Sequence, residues 1–232
     1  KIVSNPKEAV NNSDLVLIST PLSKFESAIY SVKDHLKVGS ILTDTSSVKK
    51  GPHRIIKNIK LNNISWIPSH PVAGTEKSGP MAGFSELFQN RWTILSPEPD
   101  VKQEDIKKIS DLWESMGSKV KIMSITEHDQ ILSLTSHLPH VIAYNIVKTS
   151  MNNGDKQKND IIRYSAGGLR DFTRIAASDP VMWKDIFIDN SELIIHAIDN
   201  FVKNLTEFKN AIKEKDSKKL LEIFQKSREF RK

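Results

Sequence analysis

Asp14-Leu15-Val16-Leu17-Ile18-Ser19-Thr20-Pro21 is a short unbroken apolar run closed by two hydroxyl residues and a proline. A run of this length without polar alternation reads as a strand buried on both faces of a parallel sheet, and proline ends it because it has no N–H for the ladder. Outward from this stretch, Phe25 to Leu36 has helical spacing and Gly39 breaks it. Ser40-Ile41-Leu42-Thr43-Asp44 then gives a second buried strand, running into Thr45-Ser46-Ser47-Val48-Lys49-Lys50. A third helix and a strand from Ile64 to Ile67 follow, and Trp92 to Leu95 and Lys119 to Met123 read as strands flanking a helix from Gln103 to Met116. Strands alternating with helices predict a doubly wound α/β domain over residues 1–123.

Sheets of that kind meet ligands at the carboxyl ends of their strands. Ser19, Thr20 and Pro21 lie at one such end, and Asp44, Ser46 and Ser47 at another. Hydroxyls and free backbone N–H groups there suit ribose and phosphate, although Ser and Thr also serve at strand ends as plain turn formers. The third strand runs into Trp66-Ile67-Pro68-Ser69-His70-Pro71-Val72-Ala73-Gly74-Thr75-Glu76-Lys77-Ser78-Gly79. Two prolines bracket His70; they should stop the strand and present the histidine at its carboxyl end, in a loop whose glycines let a substrate approach closely. Histidine exchanges protons near neutral pH, so His70 is a candidate acid–base group; a structural histidine is the competing reading.

No G-x-G-x-x-G turn occurs, the chain opens at Lys1 without Met, and Ser4-Asn5-Pro6 resembles a helix start in mid-domain. Two readings follow: the protein binds no dinucleotide, or the chain is N-terminally incomplete and lacks its first strand-helix-strand unit. The second is the expectation carried forward.

Residues 124–232 read as helical. Ser124-Ile125-Thr126-Glu127 is a capping box, and Ile131, Leu134, Leu138 and Ile142 follow at helical spacing. Pro139 should kink that helix within Ser136-His137-Leu138-Pro139-His140. His128, His137 and His140 have spacings compatible with one face; a hydrogen-bonding pair is expected there and no metal site, because no third ligand completes an H-E-x-x-H pattern. The double glycine Gly167-Gly168 reads as a helix end, and Asp179-Pro180 as an N-cap with proline in first position. Arg170, Asp171 and Arg174 share helical spacing; an arginine facing a cleft there is a natural clamp for a carboxylate, with Arg170 expected instead in an ion pair with Asp171, and Trp183 reads as core. Ile194, Ile198, Phe201, Leu205, Phe208 and Ile212 form a heptad-like stripe, and Leu220, Leu221 and Phe224 follow on a second helix. A two-fold helical dimer is the expected way of burying it, since this half is thin for a core of its own.

Composition narrows the classes further. There is no cysteine, which excludes disulfides, thiolate metal sites and cysteine nucleophiles. No long apolar stretch or secretory signal is visible, so a cytoplasmic protein without membrane contact is expected. Of the net charge of +6, residues 203–232 carry +5, with ten Lys/Arg against five Asp/Glu interspersed at helical spacing. That pattern is a solvated helix face rather than a nucleic-acid patch.

Ser69-His70-Pro71-Val72-Ala73-Gly74-Thr75-Glu76, Thr43-Asp44-Thr45-Ser46-Ser47-Val48-Lys49, Ser136-His137-Leu138-Pro139-His140 and Asp171-Phe172-Thr173-Arg174-Ile175-Ala176-x-Ser178-Asp179-Pro180, in that combination, resemble the prephenate/arogenate dehydrogenase family of tyrosine biosynthesis. The resemblance implies a Rossmann-like nucleotide-binding domain followed by an all-α dimerisation domain, NAD or NADP as cofactor, and oxidative decarboxylation of a small cyclic acid. It places His70 as proton acceptor for the substrate's ring hydroxyl and Ser47 beside it, between cofactor and substrate. Arg174 matches the arginine on a substrate carboxylate, His140 and Trp183 match pocket residues, His128 matches a further family histidine and is counted with the substrate contacts, and Glu76 with Asp171 and Arg170 resembles a charged cluster. Two departures stand out: the phosphate-binding turn is missing, together with the residue that selects NAD over NADP, and Ser46 replaces a common glycine. The resemblance leaves prephenate and arogenate both open as substrate, with competition at the active site as the simplest form of inhibition by tyrosine. A non-catalytic dimerising protein is the alternative from another class.

Overall fold

A computed structural model describes residues 2–59, 61–74, 79–151, 164 and 166–232. Three strands, β1 (Leu15–Ile18), β2 (Ile41–Asp44) and β3 (Ser65–Ile67), form a parallel sheet in that order, with Leu42 opposite both Val16 and Trp66. All four β2 residues are buried, as an apolar run in a central strand must be. Helix α1 (Pro6–Val10) is capped by Asn5, whose side chain accepts from the Lys7 N–H. Helix α2 (Leu22–Val32) turns Phe25, Ile29 and Val32 onto Val16, Ile18, Leu42 and Trp66. The expectation that β1 is buried on both faces is corrected: among the described residues only the face under α2 is covered, so Val16 and Ile18 pack inward while Leu15 and Leu17 on the other face are exposed.

A second sheet holds β4 (Ser69–Pro71), β5 (Trp92–Leu95) and β6 (Lys119–Ile122), with β4 antiparallel and β6 parallel to β5. Helix α4 (Gln103–Ser115) covers it, burying Ile106, Ile109 and Trp113 against Ile41, Ile67 and Leu95. Here the reading of His70 as a loop residue is also corrected. Pro68 does end β3, but the chain resumes at once as β4, so His70 sits inside a short strand opposite Ile94. The sheet is therefore mixed rather than wholly parallel. An edge strand tolerates Pro71, and Pro68 still contributes its carbonyl, which accepts from the Ser96 N–H.

The helical half begins at α5 (Ile125–Leu132), where the Ser124 hydroxyl accepts from the Glu127 N–H. Residues Ser133–His137 then form a π-helical turn before α6 (Leu138–Met151). Pro139 has no N–H for the Thr135 carbonyl, and the wider turn absorbs that loss just upstream of it. Helix α7 (Gly167–Thr173), a 3-10 turn (Arg174–Ala177) and α8 (Pro180–Asp189) follow. Gly167 and Gly168 open α7 instead of ending a helix, and neither has a positive φ. The Asp179 side chain caps α8 by accepting from the Met182 N–H. Helix α9 (Ser191–Lys213) buries Ile194, Ala197 and Ala211 and packs on α10 (Ser217–Arg231), but Leu205 and Ile212 of its stripe are exposed. Among the described residues no helix is long and apolar enough to cross a membrane.

Candidate active site

The two halves dock through carboxylates placed at helix N-termini. Helix α3 (Lys50–Ile59) starts right after the β2 loop, and the free N–H groups of Lys49 and Lys50 each donate to one oxygen of Asp129, both at 2.9 Å. Asp185 likewise accepts from the Ser23 N–H in the first turn of α2, at 3.3 Å. A helix N-terminus carries unsatisfied donors and a partial positive charge, so acidic side chains of the second domain are held there. Asp189 lies so close to Gly51 that any Cβ at that position would overlap its carboxylate. These contacts bring α5 against the carboxyl ends of β2 and β4.

Beneath that junction lies an ion pair sealed from solvent. Lys49 Nζ is 2.7 Å from Asp44 Oδ2 and donates also to the Ser69 carbonyl at 2.6 Å, with both side chains fully buried. Burial holds the Lys49 ammonium below the usual lysine range, against the pull of Asp44. The Asp44 carboxylate accepts further from the N–H groups of Ser46 and Ser69. The placement of Asp44 among cofactor contacts is thus corrected: its carboxylate is spent inside the protein, bracing β4.

Ser69 precedes His70, and the imidazole is held on the far side by the second domain. His70 Nδ1 lies 2.8 Å from His128 Nε2, and His128 Nδ1 lies 2.7 Å from Asp129 Oδ1. Burial first, then His128, Lys49 and His137, hold His70 well below the usual histidine range, so it is neutral at pH 7 and able to take a proton. His128 is fully buried behind His70, which corrects its assignment as a substrate contact. Asn190 continues the network, donating to the Asp129 carbonyl and to His137 Nδ1, both at 3.1 Å. His137 is lowered to about 4, chiefly by burial. His137 and His140 do not bond to each other as expected. His140 Nδ1 donates to the Ser136 carbonyl at 2.8 Å while its ring stacks on Trp183 at 3.5 Å; His137 meets the same indole edge-on at 6.2 Å.

His70, His128, His137, His140 and Trp183 thus form one continuous cluster across the junction. Trp183 is core, packed with Val48 and Ile186, and at the same time a wall for His140; its indole N–H is buried with no hydrogen-bond partner among the described residues. Ser19, Thr20 and Pro21 are exposed at the carboxyl end of β1, where Thr45 Oγ1 donates to Ser19 Oγ at 3.3 Å. Ser46 is buried and Ser47 half-buried on the loop between β2 and Lys49. Arg174 is exposed at the start of its 3-10 turn; the Tyr144 hydroxyl ties the end of that segment to α6 by donating to the Ser178 carbonyl, one turn from His140. Arg170 and Asp171 are both exposed and unpaired with each other, and Glu76 lies outside the described residues. The residues that sequence reasoning missed are Lys49, Asp129 and Asn190. Asp129 had one signal, its position next to His128; the others reveal themselves only through burial.

Comparison with known proteins agrees with this geometry. Residues 2–122 match the family model described as prephenate dehydrogenase, nucleotide-binding domain, and residues 124–226 match prephenate dehydrogenase, dimerization domain. The cyclohexadienyl dehydrogenase of Zymomonas mobilis is 39% identical over 230 residues, covering 99% of this chain and 78% of that protein. The prephenate dehydrogenase of Bacillus subtilis is 28% identical over 233 residues, and the chain spans 61% of its length. The crystal structure of Aquifex aeolicus prephenate dehydrogenase in complex with hydroxyphenyl propionate and NAD+ superposes with a TM-score of 0.86 at 32% identity, covering 97% of this chain and 77% of that one. On both domains and on the mutual placement of its motifs, the chain belongs to the prephenate/arogenate dehydrogenase family.

Proposed function

We propose that the protein oxidises prephenate, with loss of carbon dioxide, to 4-hydroxyphenylpyruvate, passing a hydride to NAD or NADP. The observation that carries this reading is His70: a neutral imidazole wedged between the rim of the nucleotide-binding sheet and the helical domain. The exposed hydroxyls at the carboxyl ends of β1 and β2, on Ser19, Thr20 and Thr45 with Ser47 nearby, fit the ribose and phosphate side of a dinucleotide. When bound, that cofactor supplies the hydride acceptor.

As hydride leaves the ring carbon that bears the hydroxyl, positive charge spreads onto the oxygen and its proton moves toward His70 Nε2. The bond to the carboxylate on the opposite carbon then breaks, its electron pair enters the ring, and the oxygen recovers the proton as the ring becomes aromatic. No net proton is released. Arg174 supplies a planar guanidinium for a substrate carboxylate, and His140 with Trp183 walls the helical side. Aromatisation drives the reaction, so positioning is the main task of the protein. The stripe on α9 and α10 joins two copies into a dimer.

Arogenate is the second reading for the substrate, supported by the name of the Zymomonas relative, whose cyclohexadienyl label covers either acid. Reduction of NAD+ and of NADP+ by the purified protein, followed at fixed concentrations of prephenate and of arogenate, tests both. Turnover with prephenate is expected; turnover with arogenate alone would replace the substrate, and none with either acid would end the enzymatic reading.

A further inference from the structure

We propose that Asp129, acting through His128, is the positioning residue that makes His70 a base. It fixes the His70 proton on Nδ1 and leaves the Nε2 lone pair for the substrate. The inference rests on the role given to His70 above and adds to it the groups that set the imidazole's tautomer.

The hydrogen-bond directions carry the argument. A carboxylate only accepts, so the 2.7 Å contact between Asp129 Oδ1 and His128 Nδ1 requires a hydrogen on that nitrogen. In the neutral ring the lone pair is then on Nε2, which lies 2.8 Å from His70 Nδ1. Two lone pairs do not face each other at that distance, so His70 Nδ1 is the donor. Its Nε2 is left as acceptor.

A charged His128 would reverse the order and put the proton on His70 Nε2. The inference takes His128 as the neutral ring, and the tautomer measurement distinguishes the two arrangements. Asp129 is anchored independently, since its two oxygens also accept from the Lys49 and Lys50 N–H groups and its carbonyl from Asn190. The carboxylate therefore cannot turn away from His128. While the substrate proton resides on His70 Nε2, the imidazolium is stabilised by the Asp129 charge one ring away; the proton returns to the oxygen as the aromatic ring forms.

Nitrogen-15 NMR of histidine-labelled protein reads the tautomers without any turnover. Hydrogens on Nδ1 of both His70 and His128 at pH 7.5 are expected; hydrogen on His70 Nε2 would overturn the inference. In kinetics, Asp129→Asn should lower kcat about tenfold or more and move the acid limb of the kcat–pH profile to lower pH, because a negative charge supporting the protonated ring is gone. His128→Gln keeps an acceptor for His70 and leaves the Asp129 bonds to α3 in place, so it tests the same link if Asp129→Asn folds poorly. It should lower kcat and shift the limb at an unchanged melting temperature. A folded Asp129→Asn or His128→Gln with the wild-type profile, or a loss that only tracks the folded fraction, would refute the positioning role. His70→Asn separates the two layers: wild-type turnover there sinks the role of His70 itself, whereas a dead His70→Asn beside an unaffected Asp129→Asn sinks only this inference.

Discussion

At the scale of single residues, the site is held by charges taken out of water. Replacing Lys49 by Met leaves Asp44 buried with no counter-charge and removes a donor from the Ser69 carbonyl. Breaking one side of a buried pair costs about 3–5 kcal/mol, which urea denaturation should show; a loss below about 1 kcal/mol would mean the cavity rehydrates freely. His137 sets a pH dependence. Its value falls from 6.5 to about 4 on folding, so between those limits the unfolded chain binds more protons and stability declines as the pH drops. At about 1.4 kcal/mol per unit, this single group accounts for about 3 kcal/mol, all of it retained above pH 6.5. His70, depressed in the same direction, steepens the decline. Unfolding free energies at pH 7 and pH 4.5 check the sign, and His137→Asn should flatten the difference.

At the scale of elements, the domain junction depends on how closely a carboxylate reaches the start of α3. Gly51→Ala places a methyl against Asp189, and overpacking of this kind costs about 1–3 kcal/mol. Gly168→Ala is the control: its Cβ meets nothing within 4 Å, its φ is not positive, and removing a glycine from helix α7 should stabilise by about 0.5–1 kcal/mol. Thermal melts of the pair distinguish steric crowding from a general glycine effect; equal shifts would contradict the close approach of Asp189 to Gly51. Strands and helices of this chain were legible from periodicity and caps, as at Ser124 and Asp179, because those signals are local. What periodicity could not show was how one strand follows another. Pro68 reads as a terminator, and whether the chain then loops out or pairs again depends on β5, more than twenty residues downstream.

For the whole molecule, the exposed stripe on α9 is the feature a second copy would bury. Leu205 is 54% and Ile212 62% exposed, beside Phe208. Leu205→Asp with Ile212→Asp is expected to halve the mass seen by light scattering; an unchanged mass would place the dimer contact elsewhere. The two histidines proposed for the reaction, His70 and His140, come from different domains, so loosening the junction should lower turnover before it unfolds either half.

By itself the sequence determined the α/β domain followed by helices, the caps, the apolar stripe and the histidine-bearing motifs, since each is written in neighbouring residues. Only the tertiary structure decided that Asp44 turns inward to Lys49, that His128 stands behind His70 rather than before a ligand, and that Asp129 joins the two domains. A side chain's role there depends on which distant groups share its desolvated space, and burial and partnership across some eighty residues, as between Lys49 and Asp129, leave no local pattern.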